Sequence, residues 1–159
     1  MTREKEQLSQ QPIVERMSES DLSEVINLGL SSAEADTGTD SPQFYSKETL
    51  SRWVQSPNGV LLVARVEGKF AGFILTAYNP DSNDAYIHEV AVTEQFRGRG
   101  VADKLLDQTL TALEKTACDH VFCLTKPSNN PAQKLLQKHG FAMGDTFLYA
   151  DRMLPRKAQ

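Results

Sequence analysis

The spacing of hydrophobic and polar positions predicts a chain in which strands and helices are mixed. Short runs rich in β-branched and aromatic residues predict seven strands, at residues 12–17, 60–66, 69–78, 86–92, 120–125, 141–143 and 146–154. Apolar residues that recur every three or four positions predict helices near 21–30, 46–54, 101–117 and 131–139. Asn130 as a cap and Pro131 at the first helical position mark the beginning of the last helix.

The stretch from residue 86 to residue 106 combines a strand, a basic turn with two glycines and a helix. The first backbone N–H groups of a helix lack internal partners and lie at the positive end of its dipole. Gly98 and Gly100 have no Cβ, so an anion can approach the main chain closely. Arg97 and Arg99 add positive charge. This arrangement predicts a binding site for a phosphate or pyrophosphate group.

The spacing of this turn fits neither the dinucleotide-binding fingerprint nor the P-loop. It resembles instead the [Q/R]-x-x-G-x-[G/A] signature of the GCN5-related N-acetyltransferases (GNAT), matched by Arg97, Gly100 and Ala102. A second stretch resembles that family's N-x-x-A-x-x-[L/F]-Y-x-x-x-G-F motif and matches it at Asn129, Ala132, Leu135, Gly140 and Phe141. The resemblance covers one domain at about 12–155, between a flexible segment at 1–11 and a polar tail at 156–159.

The resemblance implies the α/β (α+β) acyl-CoA N-acyltransferase fold: a mixed, mostly antiparallel, twisted sheet of about seven strands flanked by about four helices. It also implies transfer of an acetyl group from acetyl-CoA to a primary amine of a small molecule, peptide or protein. The strands at 86–92 and 120–125 should diverge, and the pantetheine arm should enter between them. The residues expected to bind the cofactor are Val90, Ala91, Val92, Arg97, Gly98, Arg99, Gly100, Val101, Ala102, Asp103 and Asn129.

The chemistry needs a base, because an amine with a pKa of about 10 is mostly protonated at neutral pH. The candidates lie on the strand at 86–92: His88 first, for its intrinsic pKa, then Glu89, with Tyr86 beside them and Asp84 just before them. Strict alternation places His88 and Glu89 on opposite faces of the strand, although a bulge near Val90 would change this. By family analogy, a backbone N–H near Val90 would stabilise the developing oxyanion.

The sequence departs from the family pattern at Leu136, where many members have a tyrosine that protonates the leaving thiolate. The phenols that could replace it belong to Tyr149, Tyr78 and Tyr86. This departure leaves open a second hypothesis, a CoA-binding sensor or interaction module without turnover. Cys123 has no histidine at a suitable spacing, which favours direct transfer over a covalent cysteine intermediate.

Composition narrows the partners and the compartment. A net charge of −4 argues against nucleic-acid binding. No apolar run approaches the length of about 18 residues that a membrane helix needs, and no secretory signal is visible. Two cysteines favour a reducing compartment, and therefore the cytoplasm. Three scattered histidines do not suggest a metal site.

Two further expectations concern the acceptor and the assembly. Glu34, Asp36 and Asp40 lie in the loop that borders the acceptor site in the family, where they would attract a polyamine or a basic peptide; the alternative is a mobile acidic loop without such a role. Because members of the family often dimerise, a homodimer is also expected from the resemblance.

Overall fold

The computed structural model describes residues 11–156. Five strands are present there: β1 (Ile13–Arg16), β2 (Gly59–Val66), β3 (Lys69–Asn79), β4 (Asp84–Val92) and β5 (His120–Cys123). The α-helices are α1 (Leu22–Ser31), α2 (Lys47–Val54), α3 (Val101–Leu113) and α4 (Asn130–Lys138). The flexible segment and the polar tail expected at the two ends lie, except for Gln11 and Arg156, outside the described residues.

The strands form one mixed sheet in the order β1-β2-β3-β4-β5. β1 to β4 are antiparallel neighbours, whereas β5 runs parallel to β4 after the crossover through α3. The predicted β2–β3 hairpin is confirmed, with the turn at Glu67 and Gly68 in left-handed conformations. β3 is the central strand, and its residues from Phe70 to Thr76 are buried. The predicted α/β class is confirmed.

Apolar side chains on the two faces of the sheet make two separate cores. One core packs α3 and α4 against the sheet and includes Leu105, Leu106, Ile74 and Ile87. The other packs α1 and α2 against the opposite face and contains Leu22, Val25, Leu50, Phe73 and Leu75. The sheet is therefore covered by helices on both faces, which is the layered solution that buries amphipathic helices.

Gly72 on β3 marks a place where two strands approach closely. The β2–β3 register shifts beside it, so that Ala64 pairs with Gly72 and Arg65 with Phe70. A Cβ built on Gly72 would lie 2.4 Å from the carbonyl oxygen of Ala91 on β4. The expectation that this glycine accompanies a bulge or a close backbone approach is confirmed on both counts.

The two closing strands expected at 141–143 and 146–154 are wrong: residues 141–156 contain no strand, and the sheet has five strands rather than about seven. A strand needs a hydrogen-bonding neighbour and a packed face. Among the described strands, the neighbouring edge belongs to β5, which has only four residues. Phe147 and Leu148, 78% and 98% exposed, pack against neither core.

The end of α3 also differs from the expectation. α3 ends at Leu113 rather than near residue 117. The backbone N–H and the hydroxyl of Thr116 both donate to the Leu113 carbonyl, which turns the chain out of the helix. The short helix expected through Leu50, Trp53 and Val54 is confirmed as α2, which begins after Ser46, whose side chain accepts a hydrogen bond from the Thr49 N–H.

Candidate functional site

A bulge in β4 determines which side chains face the site. Leu75 of β3 pairs with Glu89, but the next β3 residue, Thr76, pairs with Ile87, so His88 is the extra residue. Paired residues on neighbouring strands face the same side of a sheet, and Leu75 belongs to the core on the α1–α2 face. Glu89 therefore faces α1 and α2. The alternation that put it on the face opposite His88 is wrong, since the bulge occurs at His88 itself.

β4 and β5 diverge immediately after this bulge. Their parallel pairing runs from Asp84 opposite His120 to Ile87 opposite Cys123, where β5 ends. β4 continues for five residues to Val92, and no described strand pairs with that part of its outer edge. The expected divergence of these two strands is confirmed. The main chain of Val90, Ala91 and Val92 lies along the open edge.

The glycine-bearing turn leads from this edge to the beginning of α3. Gly98 and Gly100 have φ values of 71° and 76°, in the left-handed region that favours glycine. A Cβ on either would meet nothing within 4 Å, so the space beside both is open. Gly100 is the N-cap of α3, and the free N–H groups of Val101, Ala102 and the following residue begin there.

The two arginines of this turn are held differently. The Arg97 Nε donates to the Val92 carbonyl at 3.4 Å, which ties its side chain back to the end of β4. The Arg99 guanidinium lies 5.4 Å from the centre of the Phe96 ring, a cation–π distance. Arg99, Gly100 and Lys104 also border a surface groove of about 360 Å³ beside α3.

Two predicted cofactor residues have structural partners of their own. Asp103 forms an ion pair with Lys138 at 2.6 Å and a hydrogen bond with His139 Nε2 at 3.1 Å, and the hydrogen bond from Lys138 is the main reason that its pKa is lowered. Asn129, not Asn130, caps α4: its Oδ1 accepts from the Ala132 N–H at 3.1 Å. The cap prediction is wrong because α4 begins at Asn130, one residue earlier than expected.

His88 lies in a group of aromatic rings. The Tyr45 hydroxyl is 2.8 Å from His88 Nδ1, and the rings of Trp53 and Tyr86 lie 4.8 Å and 4.3 Å from the imidazole, centre to centre. Burial lowers the pKa of His88 to about 4. Burial is also the main reason that the pKa of Tyr45 rises to about 12, with the charges of Tyr86 and Glu89 adding to it. Both groups are therefore neutral at pH 7.

Glu89 is the isolated carboxyl group of the site. Its Oε1 is buried and has no hydrogen-bond partner among the described residues. Burial raises the pKa of Glu89 to about 7. A carboxyl group with this pKa is part protonated and part ionised at neutral pH, which suits it to proton transfer.

The remaining predicted residues lie at different distances from this pair. Tyr86 is beside His88, and Tyr149 is close enough to raise the pKa values of both Tyr45 and Tyr86. Asp84 begins β4, four residues before His88, and accepts a hydrogen bond from Ser82. Tyr78 donates to Asn83 in the same β3–β4 turn. The structure thus brings Tyr86, His88, Glu89 and Tyr149 together and leaves Asp84 and Tyr78 at the other end of the strand.

Tyr45 is the residue that sequence reasoning missed. It lies in the irregular segment before α2 and carries no periodic signal. The one available clue is the Phe44–Tyr45 pair directly before the Ser46 cap, because adjacent aromatic residues in a polar loop need something to pack on. Here they pack on Phe73 and His88.

Comparison with known proteins shows the family. The model of the "Acetyltransferase (GNAT) family" matches residues 29–141, well over half of the chain. The chain therefore belongs to this family. It is also 37% identical, over 73 residues, to an L-2,4-diaminobutyric acid acetyltransferase of Nocardia farcinica, a match that covers 40% of this chain and 38% of that protein. The chain thus spans less than half the length of this relative.

Solved structures share the fold at low identity. An aminoglycoside acetyltransferase, meta-AAC0020, from an uncultured soil metagenomic sample superposes with a TM-score of 0.70 at 19% identity, over 91% of this chain and 97% of the other. The PaiA N-acetyltransferase of Thermoplasma acidophilum, solved in complex with coenzyme A, also gives 0.70 at 19% identity, over 86% and 92% of the two chains.

None of the helices within residues 11–156 is long and apolar enough to cross a bilayer. The same residues contain no group of three or more histidine, cysteine, aspartate or glutamate side chains placed to hold a metal ion.

Proposed function

We propose that this protein is an N-acetyltransferase that transfers the acetyl group of acetyl-CoA directly to a primary amine. The observation that carries the proposal is the open edge of β4, which leads from the buried carboxyl of Glu89 to the N-terminus of α3. An extended acyl carrier with a diphosphate needs both an edge to pair with and an anion site at its end. Family membership and acetyltransferase relatives support the same reading.

The chain offers a fitting place for coenzyme A. The open space beside Gly98 and Gly100 would admit a diphosphate to the main-chain N–H groups at the beginning of α3, with Arg97 and Arg99 adding charge. The edge from Val90 to Val92 would pair with the pantetheine amides. The Asn129 amide group would donate through its nitrogen, since its oxygen already caps α4. When bound, the thioester supplies an activated acyl group.

Glu89 is the proposed base, in place of His88. A general base works best when its pKa is near the working pH. The pKa of His88 is lowered to about 4, far below that of an amine, and its Nδ1 is already occupied by the Tyr45 hydroxyl. Glu89 has a pKa of about 7 and an unpartnered oxygen. Tyr86 and His88 then shape the space in which the amine meets this carboxylate.

The leaving thiolate of CoA needs little help from a general acid of the protein. A thiol with a pKa near 8.5 leaves with little acid assistance. Leu136 is buried in the α3–α4 core and cannot donate a proton. Tyr149, which is half-exposed and near enough to raise the pKa values of Tyr45 and Tyr86, and Tyr86 itself are the phenols that would donate one. Burial raises the pKa of the Cys123 thiol, which makes it a poor nucleophile and agrees with direct transfer.

Leu136 also favours the second candidate, a CoA-binding protein without turnover. The two functions make different predictions in one assay. An enzyme releases thiol from acetyl-CoA when an amine acceptor is present, whereas a binding module binds CoA and releases no thiol with any acceptor. The assay would use primary amines of several classes, and free thiol would be measured with a colorimetric thiol reagent.

A glycine pair tests the proposed CoA site directly. Gly100 and Gly38 both have φ of 76°, and neither would bring a Cβ within 4 Å of another group. Gly100→Ala and Gly38→Ala therefore introduce similar backbone strain, on the order of 1–2 kcal/mol. We expect calorimetry to show at least tenfold weaker CoA binding for Gly100→Ala and unchanged binding for Gly38→Ala. Equal affinities in all three proteins would contradict the proposed site.

We also propose that the protein works in a reducing compartment and forms a homodimer. The two cysteines, Cys118 and Cys123, are both unpaired, which supports a reducing compartment such as the cytoplasm. Homodimer formation and the absence of nucleic-acid binding are carried forward from the family resemblance and the net charge of −4.

A further inference from the structure

One hydrogen bond joins the segment before α2 to the bulge in β4. The Tyr45 hydroxyl lies 2.8 Å from His88 Nδ1, although the two residues are 43 positions apart in the sequence. The phenol ring also makes edge contacts with the rings of Phe44 and Trp53, at 5.6 Å and 5.5 Å between centres, and Trp53 makes an edge contact with the imidazole at 4.8 Å. These packed rings hold the phenol and the imidazole in one relative orientation.

The phenol is the donor in this hydrogen bond. A neutral imidazole has one N–H and one bare nitrogen, and a phenol has a single O–H. If His88 Nδ1–H donated, the Tyr45 proton would need a different acceptor, and within residues 11–156 the hydroxyl has no other partner. A phenol is also a stronger acid than a neutral imidazole, and the bare imidazole nitrogen is the stronger base. Nδ1 is therefore the bare nitrogen, and the proton of the imidazole is on Nε2.

Nε2 is the ring nitrogen that solvent can reach. It has no hydrogen-bond partner within residues 11–156, yet it is not among the unpartnered polar atoms of that range that are sealed from solvent. The titratable groups around the imidazole are Tyr45, Tyr86 at 4.3 Å between ring centres, and Glu89, the next residue on the same face. At pH 7 the imidazole is neutral, because burial lowers the pKa of His88 to about 4. It thus presents an N–H to the site and no lone pair.

We infer that Tyr45 is a positioning residue that prevents His88 from acting as a base and so directs the proton of the acceptor amine to Glu89. The inference rests on the proposed acetyltransferase function and adds a residue to its mechanism. In the step concerned, one N–H bond of the ammonium group breaks, its proton joins a carboxylate oxygen of Glu89, and the nitrogen keeps the electron pair for attack on the thioester carbonyl. With Nδ1 occupied by the phenol and Nε2 already protonated, the imidazole has no place for that proton.

The tautomer can be observed without turnover, by ¹⁵N NMR of labelled histidine. The chain has three histidines, and the ring signals that disappear in His88→Gln assign those of His88. In the wild type at pH 7 we expect the proton on Nε2. Tyr45→Phe removes the hydroxyl and keeps the packed ring, and should let the Nδ1–H tautomer become measurably populated.

Tyr78→Phe is the matched control for this substitution. It also removes one phenolic hydroxyl, but that hydroxyl donates to Asn83 at 3.4 Å, at the other end of the β3–β4 pair. Its His88 signals should be those of the wild type, and circular dichroism should show that both phenylalanine variants fold. A wild-type protein with the proton on Nδ1, or a tautomer that Tyr45→Phe leaves unchanged, would overturn the inference.

Thiol release supplies the second readout, through a double-mutant cycle. It would be measured with acetyl-CoA and the fastest acceptor among hexylamine, spermidine, L-lysine and a peptide with a free N-terminus. In the Tyr45→Phe protein the Nδ1–H tautomer exposes a lone pair on Nε2, so His88 can take the proton when Glu89 is replaced. We therefore expect Glu89→Gln to lower kcat by a factor about three- to tenfold smaller in this protein than in the wild type.

The two ways of failing are distinguishable. In the Tyr78→Phe protein Glu89→Gln should have its full wild-type effect. An equal effect of Glu89→Gln in all three backgrounds would mean that Tyr45 only supports the structure, and would overturn the inference while leaving the acetyltransferase intact. Absence of thiol release with every amine would overturn the proposed function, and the inference with it, because Tyr45 would then have no proton to direct.

Discussion

Two adjacent residues, His88 and Glu89, respond to the same burial in opposite directions. Removing water disfavours whichever form is charged. The imidazole therefore has its pKa lowered to about 4, and the carboxyl group has its pKa raised to about 7. His88, whose ordinary pKa suits a base at neutral pH, becomes a weak base. Glu89, whose ordinary pKa is too low, acquires a pKa close to neutral pH. Sequence reasoning ranked them on their ordinary values and so preferred His88.

The kinetic consequence is a prediction for two variants. Glu89→Gln keeps the shape of the side chain but removes the base, and should lower kcat by about 10²–10⁴-fold. His88→Gln should lower kcat by less than tenfold and leave the profile of log kcat/KM rising through pH 7. The measurement is thiol release between pH 5 and pH 9 with the best acceptor. If His88→Gln abolishes that rise and Glu89→Gln does not, the assignment of the base is wrong.

The same pKa shift predicts how stability depends on pH. A carboxyl group whose pKa is raised on folding stabilises the folded state below its unfolded value of about 4.5, and this contribution is lost as the pH rises through about 7. Glu89→Gln should therefore be more stable than the wild type at pH 8, on the order of 2 kcal/mol after discounting for partial solvent contact, and equally stable at pH 4. Urea unfolding at both pH values measures the difference in free energy of unfolding. An equal gain in stability at pH 4 and pH 8 would show that burial does not raise the pKa of Glu89.

At the scale of elements, the sequence predicted what depends on local pattern. The hairpin and the glycine-bearing turn before α3 both follow from residues adjacent in sequence. The bulge at His88 does not, because it is defined by the β3 residues that pair with β4. The two closing strands failed for a related reason. Alternation was present, but the neighbour they needed, β5, is only four residues long.

Gly72 tests the packing of β3 against β4 at this scale. In Gly72→Ala the new Cβ would lie 2.4 Å from the Ala91 carbonyl oxygen, so the two strands must move apart. We expect a loss of about 1–3 kcal/mol in the free energy of unfolding, as for other overpacked sites. Gly144→Ala is the control, since a Cβ there meets nothing within 4 Å and its φ is not in the left-handed region.

Urea denaturation at pH 7 would compare the two alanine variants with the wild type. The Gly144→Ala protein should stay within about 0.5 kcal/mol of the wild type. Because Ala91 lies on the open edge of β4, Gly72→Ala should also weaken CoA binding. Equal stability of the two alanine variants would mean that the close approach of β3 and β4 imposes no constraint.

At the scale of the whole molecule, the site depends on the divergence of two strands within a sheet that is otherwise closed by helices on both faces. The α3–α4 layer supplies the anion site, and the α1–α2 layer packs Trp53 against His88 beside Glu89. Neither layer contains the whole site. The sequence motifs predicted the part of the site that binds the anion, because its residues are contiguous. The part of the site around Glu89 brings Tyr45 and Trp53 against His88 of β4. These residues are about forty positions apart in the sequence, and no local pattern encodes that contact.

Because the proposed CoA site joins β4 to α3, binding should stabilise the whole fold. A ligand that binds only the folded state adds about 2.7 kcal/mol at a concentration 100 times its Kd. For a chain of this size, that corresponds to a rise in Tm of roughly 5–10 °C. Thermal unfolding with increasing CoA measures this rise in Tm. Adenosine is the control, because it lacks both the diphosphate and the pantetheine arm. If main-chain N–H groups at the N-terminus of α3 bind the diphosphate, adenosine should raise the Tm by less than about 1 °C. Equal shifts with adenosine and CoA would place the binding energy elsewhere, and no shift with millimolar CoA would remove the basis for the acetyltransferase.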